Sequence, residues 1–98
     1  MFKDKEERKR RKELRQLEEI AKAFLKARSV YPPDYDGFLW VAGQKQVDLF
    51  YQTMHILTAK AETLGFAFGW FYDETKKEWF YVFSEMSHKV NWNEEACL

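Results

Sequence analysis

FAFGWFYDETKKEWFYVFSE, residues 66–85, is the stretch whose reading decides the fold. Phe66, Phe68, Trp70 and Tyr72 alternate with Ala67, Gly69 and Phe71, and a polar run, Asp73-Glu74-Thr75-Lys76-Lys77, follows. Trp79, Tyr81 and Phe83 then alternate again. A period of two, carried by aromatic side chains and broken by a polar turn, is the pattern of an antiparallel hairpin. Strands are expected over about 66–72 and about 77–85. With Tyr72 opposite Lys77, Trp70 faces Trp79, Phe68 faces Tyr81 and Phe66 faces Phe83, each pair on one side of the ribbon. The other side holds Ala67, Gly69, Phe71, Phe80 and Val82, and it too is largely apolar. One side can pack on the rest of the chain; the pattern alone does not say which. The second then needs a cover of its own. The tail from Ser87, with Val90 and Trp92, is one candidate cover, and a second protein surface is the other.

Upstream of the hairpin the period changes to that of a helix. Residues from Lys3 to about Arg28 contain no Gly or Pro and are rich in Glu, Lys, Arg, Leu and Ala, all strong helix formers. Leu14, Leu17, Ile20, Ala21, Phe24 and Leu25 fall on one stripe roughly 140° wide, with Arg8, Lys12, Arg15, Lys22 and Lys26 nearly opposite, interrupted by Glu19. Asp4–Arg8, Glu6–Arg10 and Glu7–Arg11 place an acid four residues before a base, the favoured order for a helical ion pair. Ahead of Leu14 only Met1 and Phe2 are apolar, so residues 1–13 are expected to project as a charged helical extension. Tyr31-Pro32-Pro33 ends this helix, since proline pushes its predecessor out of the helical region. Asp34 or Asp36 is placed to cap the next one.

The second helix is expected over about 36–64. Val47, Phe50, Met54, Leu57, Ala61 and Leu64 recur at threes and fours, and Gly65 supplies the stop. Extended backwards, Trp40 and Gly43 join the same stripe. Residues 38–42, bracketed by Gly37 and Gly43, also read as a short buried strand; the long helix is the favoured reading because Gly43 alone would be a very tight strand-to-helix junction. The expected architecture is α+β: two helices, then an aromatic hairpin across them, in one domain of 98 residues with residues 86–98 as a tail.

Composition narrows the function. The chain is 46% hydrophobic, 33% charged and 18% aromatic, which places it among folded and not disordered proteins. Its uninterrupted apolar runs, such as Phe38 to Ala42, are far short of the roughly 20 residues of a membrane span. No secretory leader pattern is present. The single cysteine, Cys97, permits no internal disulfide and fits a reducing compartment, so a cytoplasmic, membrane-free protein is expected. Net charge is zero, yet residues 1–29 carry eleven Lys or Arg against six acids, and residues 30–98 carry five against ten. That division permits attraction between copies.

Chemistry-bearing patterns are sparse. Glycines at 37, 43, 65 and 69 match no phosphate-binding loop. One Cys and two His do not build a zinc site without several carboxylates, so neither a metal nor a cofactor is expected. His55, near Asp48, Gln52 and Glu62 in helical spacing, reads more simply as a solvated histidine than as a general base; His88 reads likewise. Cys97 lies beside Glu94 and Glu95, which disfavour a thiolate, and it is not four from the end as a prenylation box requires. Asp34 and Asp36 follow two prolines, where capping or turn formation is the ordinary role of aspartate.

Two surfaces remain. The aromatic hairpin, with Trp40, Trp70, Phe71, Trp79, Phe80 and Tyr81, suits a protein interface, since Trp and Tyr dominate such contacts. The expected function is that of a small non-catalytic protein of regulatory, adaptor or inhibitor type, of the kind also carried by phage and mobile elements. Its partner would be another protein or a second copy of the chain. The alternative is nucleic-acid binding through Arg8, Arg11, Lys12 and Arg15 on the first helix. Against it, six acids share that helix, and the hairpin aromatics have only Lys76 and Lys77 as neighbouring bases in sequence.

Overall fold

The computed structural model describes residues 2–86, and the side chains from Lys5 onward. Three helices precede a two-stranded antiparallel sheet: α1 (Phe2–Arg28), α2 (Tyr35–Ala42), α3 (Gln44–Thr63), β1 (Phe66–Asp73) and β2 (Glu78–Glu85). The α+β order is as expected; the helix expected over 36–64 is instead two helices meeting at Gly43. Residues 38–42 are helical, not a strand.

The break has a simple cause. On one straight helix Phe38 and Val47, nine residues apart, would point in nearly opposite directions at about 100° per residue. Both are buried, at 2% and 1% exposure. Gly43 reconciles them by adopting φ 90° and ψ 161°, where a side chain is strained. It closes α2 by donating its N–H to the Leu39 carbonyl (3.0 Å) and opens α3 by accepting from the Val47 N–H (3.1 Å). The same turn moves Trp40 out of the apolar stripe and into solvent.

The other helix ends follow local chemistry. α1 closes ahead of the two prolines, where the N–H groups of Val30 and Tyr31 tighten onto the Ala27 (3.3 Å) and Arg28 (3.1 Å) carbonyls, and the Ser29 hydroxyl donates to the Leu25 carbonyl at 2.8 Å. Of the two aspartates, Asp34 is the cap of α2, its carboxylate accepting from the Gly37 N–H at 2.7 Å. A side chain at Gly37 would stand 2.6 Å from Pro32 Cβ, so the close approach of linker and helix requires glycine there. After α3, Gly65 takes φ 85° and donates to the Glu62 carbonyl, the left-handed stop expected of it.

The hairpin register differs from expectation by two residues. Phe68 pairs with Phe83, Trp70 with Tyr81 and Tyr72 with Trp79; Phe66 faces Glu85 and Asp73 faces Glu78. The turn sets this. Asp73 Oδ1 accepts from the N–H groups of Thr75 (2.9 Å) and Lys76 (3.1 Å), and Lys77 completes the reversal at φ 55°. The loop is therefore Glu74–Lys77, and Lys77 belongs to it instead of pairing with Tyr72. A slip of two conserves side-chain parity, so every residue keeps the face that the alternation assigned it.

These elements form two layers. Helices α1 and α3 lie side by side, with β1 packed on α3, β2 on α1, and α2 against α3. Leu17, Ala21 and Leu25 of α1 meet Val47, Phe50, Met54, Leu57 and Ala61 of α3, closed by Phe38 and Phe66. The hairpin face that carries Phe68, Trp70, Trp79, Tyr81 and Phe83 packs against this core.

Two arginines tie the layers together. Arg28 is 3% exposed; its guanidinium donates to the Pro32 (2.6 Å) and Pro33 (2.9 Å) carbonyls and lies 3.9 Å over the Phe38 ring and 5.2 Å from that of Trp79. Burial lowers its proton affinity from the ordinary value, opposed by Tyr51 and Asp34. Arg10 donates to the Leu64 carbonyl (2.7 Å), Glu85 (2.9 Å) and Glu7 (3.0 Å), and stacks 4.3 Å over Phe66. It thus anchors α1 from within the segment expected to project. Glu7–Arg11 forms as expected at 3.2 Å; Arg10 takes Glu7 and Glu85 in place of Glu6. The Asp4 side chain, the tail from Ser87, His88, Cys97 and their neighbours lie outside the described residues.

Candidate interaction surfaces

The residues expected to form an interface divide between two faces of the hairpin. Trp70, Trp79 and Tyr81 point toward the helices and are partly buried against the core. Phe71 and Phe80 point away, 53% and 43% exposed, and Val82 beside them is 40% exposed. Phe71 and Phe80 are direct cross-strand partners with ring centroids 5.7 Å apart. The Phe71 ring also shields the backbone of Gly69, where a side chain would meet it at 3.2 Å. The outer face is thus a preassembled apolar strip, Ala67-Gly69-Phe71 beside Phe80-Val82, bounded by Asp73 and Glu78 at the turn and by Ser84 near the far end.

The edges of the ribbon are unequal. The backbone N–H of Trp79 turns away from β1 and donates to Ser29 Oγ at 2.9 Å. Tyr72–Trp79 is accordingly a pair without mutual ladder bonds, and by the two-residue repeat so are Trp70–Tyr81 and Phe68–Phe83. On the β1 side the corresponding N–H groups of Phe68, Trp70 and Tyr72 have no partner among the described residues. That edge holds no charge or proline between Phe66 and Tyr72, the devices that ordinarily discourage pairing with another chain.

Trp40 stands elsewhere. At 89% exposure it projects from α2 roughly opposite Phe38, hence away from Arg28 and Trp79. Of the other exposed apolar residues, Ile20 belongs to the stripe that periodicity identifies on α1, whereas Leu49 and Ile56 were not singled out. Leu49 and Ile56, a heptad apart, lie off the α3 stripe at 48% and 54% exposure, and Ile20 is 41% exposed at the margin of the α1 stripe. Leu49 lines a shallow groove with Phe24 and Ala27. The spacing of Leu49 and Ile56 signals an apolar side of α3 away from the stripe, but two residues make a weak pattern.

The cationic residues Arg8, Arg11, Lys12 and Arg15 are all exposed on α1. Arg11 is bonded to Glu7; Lys12 and Arg15 have no ion-pair partner among the described residues. His55 is exposed on the polar side of α3. Among the described residues no group of three or more His, Cys, Asp or Glu gathers where a metal ion could be held, and no helix is long and apolar enough to cross a membrane. Comparison with protein-family models, with curated proteins and with solved structures finds nothing that matches this chain.

Proposed function

We propose that this chain is a small non-catalytic protein that works by binding another protein through the outer face of its hairpin. The observation that carries the reading is the paired, outward-facing Phe71 and Phe80 with Val82, an apolar strip that the described residues leave uncovered. Trp70, Trp79 and Tyr81 serve it indirectly, by fixing the ribbon on the helices. Eight-residue strands span about 26 Å and two of them about 10 Å, roughly 260 Å² of flat surface. A stable interface takes about 800 Å² from each partner. The partner therefore reaches past the strip, and the open β1 edge, with its N–H groups at Phe68, Trp70 and Tyr72, is the natural extension.

Full burial of a large apolar side chain is worth about 1.5–3 kcal/mol, so covering the exposed half of Phe71 and of Phe80 contributes about 2 kcal/mol together. That is roughly 30-fold in affinity. Quantitative capture from cells that make the protein, with the wild type and with Phe71→Ser/Phe80→Ser side by side, identifies the specific partner, and titration then gives both affinities. Sedimentation equilibrium of the two proteins reveals a second copy as the partner. Affinity unchanged in the double variant, for partner and for self, would refute the proposal.

A further inference from the structure

The structure separates the charges of α1 in a way that the list of its residues conceals. Between Lys5 and Gln16, the helical positions of Lys5, Arg8, Lys9, Lys12 and Arg15 fall within one sector about 120° wide. The acids of the same stretch, Glu6, Glu7 and Glu13, fall in the other half of the helix. Glu7 is engaged by Arg10 and Arg11, and Arg10 also takes Glu85. Lys5, Lys9, Lys12 and Arg15 are exposed and have no ion-pair partner among the described residues. Glu6, Glu7 and Glu13 are therefore not interleaved with this sector; Glu19 shares its angular range but lies one turn beyond Arg15, where it bounds the basic run on the C-terminal side.

We infer that the N-terminal half of α1 binds duplex DNA by its phosphate backbone, without sequence preference. Three features select this ligand. The five cations lie within about 15 Å of helix axis, at 1.5 Å per residue, a density suited to neutralising several phosphates at once. Ahead of the Arg10 anchor, residues 5–9 are largely exposed, so a rod about 10–12 Å across is free to approach a major groove about 12 Å wide. The sector contains no aromatic side chain on which a single-stranded base would stack, and no apolar one that would enter a bilayer. The surface is distinct from the hairpin face, and the inference stands independently of the function proposed above.

The test is fluorescence anisotropy of the full chain with a labelled 20-base-pair mixed-sequence DNA duplex at 50 and 200 mM salt. Four to five neutralised phosphates give a log–log salt slope of about −4, so Kd rises by about two orders of magnitude over that range. Arg8→Glu/Lys12→Glu/Arg15→Glu abolishes binding while helicity by circular dichroism is retained, whereas Lys60→Glu and Phe71→Ser/Phe80→Ser bind as the wild type does. A result overturns the inference if no binding occurs at 50 mM salt, if the triple variant still binds, if a single strand binds more tightly than the duplex, or if vesicles of mixed phosphatidylserine and phosphatidylcholine bind and the duplex does not.

Discussion

Replacing Arg28 with methionine should destabilise the fold by about 2 kcal/mol, because two backbone carbonyls lose the only donor the structure gives them. Arg28 is 3% exposed, and its guanidinium lies 3.9 Å from the Phe38 ring centroid and 5.2 Å from that of Trp79. Methionine approximates its length and apolar stem, so the substitution isolates the charged head and leaves no large cavity. An unsatisfied buried carbonyl costs about 1–3 kcal/mol, and the lost cation–ring contacts add about 0.5–2 kcal/mol. Relief of the guanidinium's own desolvation opposes both, by a few kcal/mol, and water reaching the exposed Pro33 softens the loss further. A net loss near 2 kcal/mol lowers Tm by about 10 °C in a domain of this size. Urea unfolding followed by tryptophan fluorescence measures it, with Trp79 as the local reporter. Arg28→Lys should recover less than half, since an ammonium lacks the planar fork that reaches two carbonyls and stacks on a ring. A methionine variant as stable as the wild type, or more stable, would refute the reasoning and show that desolvation outweighs the bonds.

Two further perturbations probe separate links. Gly43→Ala should cost about 1 kcal/mol and about 5 °C in Tm, from backbone strain alone, because a side chain there at φ 90° meets nothing within 4 Å; unchanged thermal unfolding would show that the helix junction can relax. Burial pushes the Tyr81 phenol above its ordinary 10.0, with the carboxylates of Glu18 and Glu19 adding to the effect. Because the folded value is the higher, stability is fully present below pH 10.0 and falls as pH rises from there through the folded value. Tyr81→Phe should flatten that alkaline loss in denaturation curves taken across the range; a slope identical to the wild type's would contradict the assignment.

How much of this was legible in the sequence differs from element to element. The period of two assigned each hairpin side chain to a face, since parity survives any slip by two. It did not give the register, which depends on Asp73 bonding into the turn and Lys77 adopting a positive φ. Helical spacing found the α3 stripe but carried it about two turns too far, through Gly43, and so placed Trp40 with the core residues. Only the requirement that Phe38 and Val47 share one core exposes the break. Arg28 and Arg10 were illegible for another reason. A basic residue on a charged helix reads as solvated, and nothing in the pattern shows that proline carbonyls or a strand carboxylate will close over it. Conversely, the sector shared by Lys5, Arg8, Lys9, Lys12 and Arg15 is present in the numbering, but counting charges conceals it.

The outer hairpin face is tested most directly by hydroxyl-radical footprinting of the protein alone and in complex with its captured partner, or at concentrations that assemble a second copy. In isolation Phe71 and Phe80 should oxidise readily, as their exposure requires. In the complex both should be protected, together with Val82, while Trp40 and Leu49 remain reactive. Protection confined to Trp40, to Leu49 and Ile56, or to α1, with Phe71 and Phe80 as reactive as before, would contradict the account and move the working surface elsewhere on the molecule.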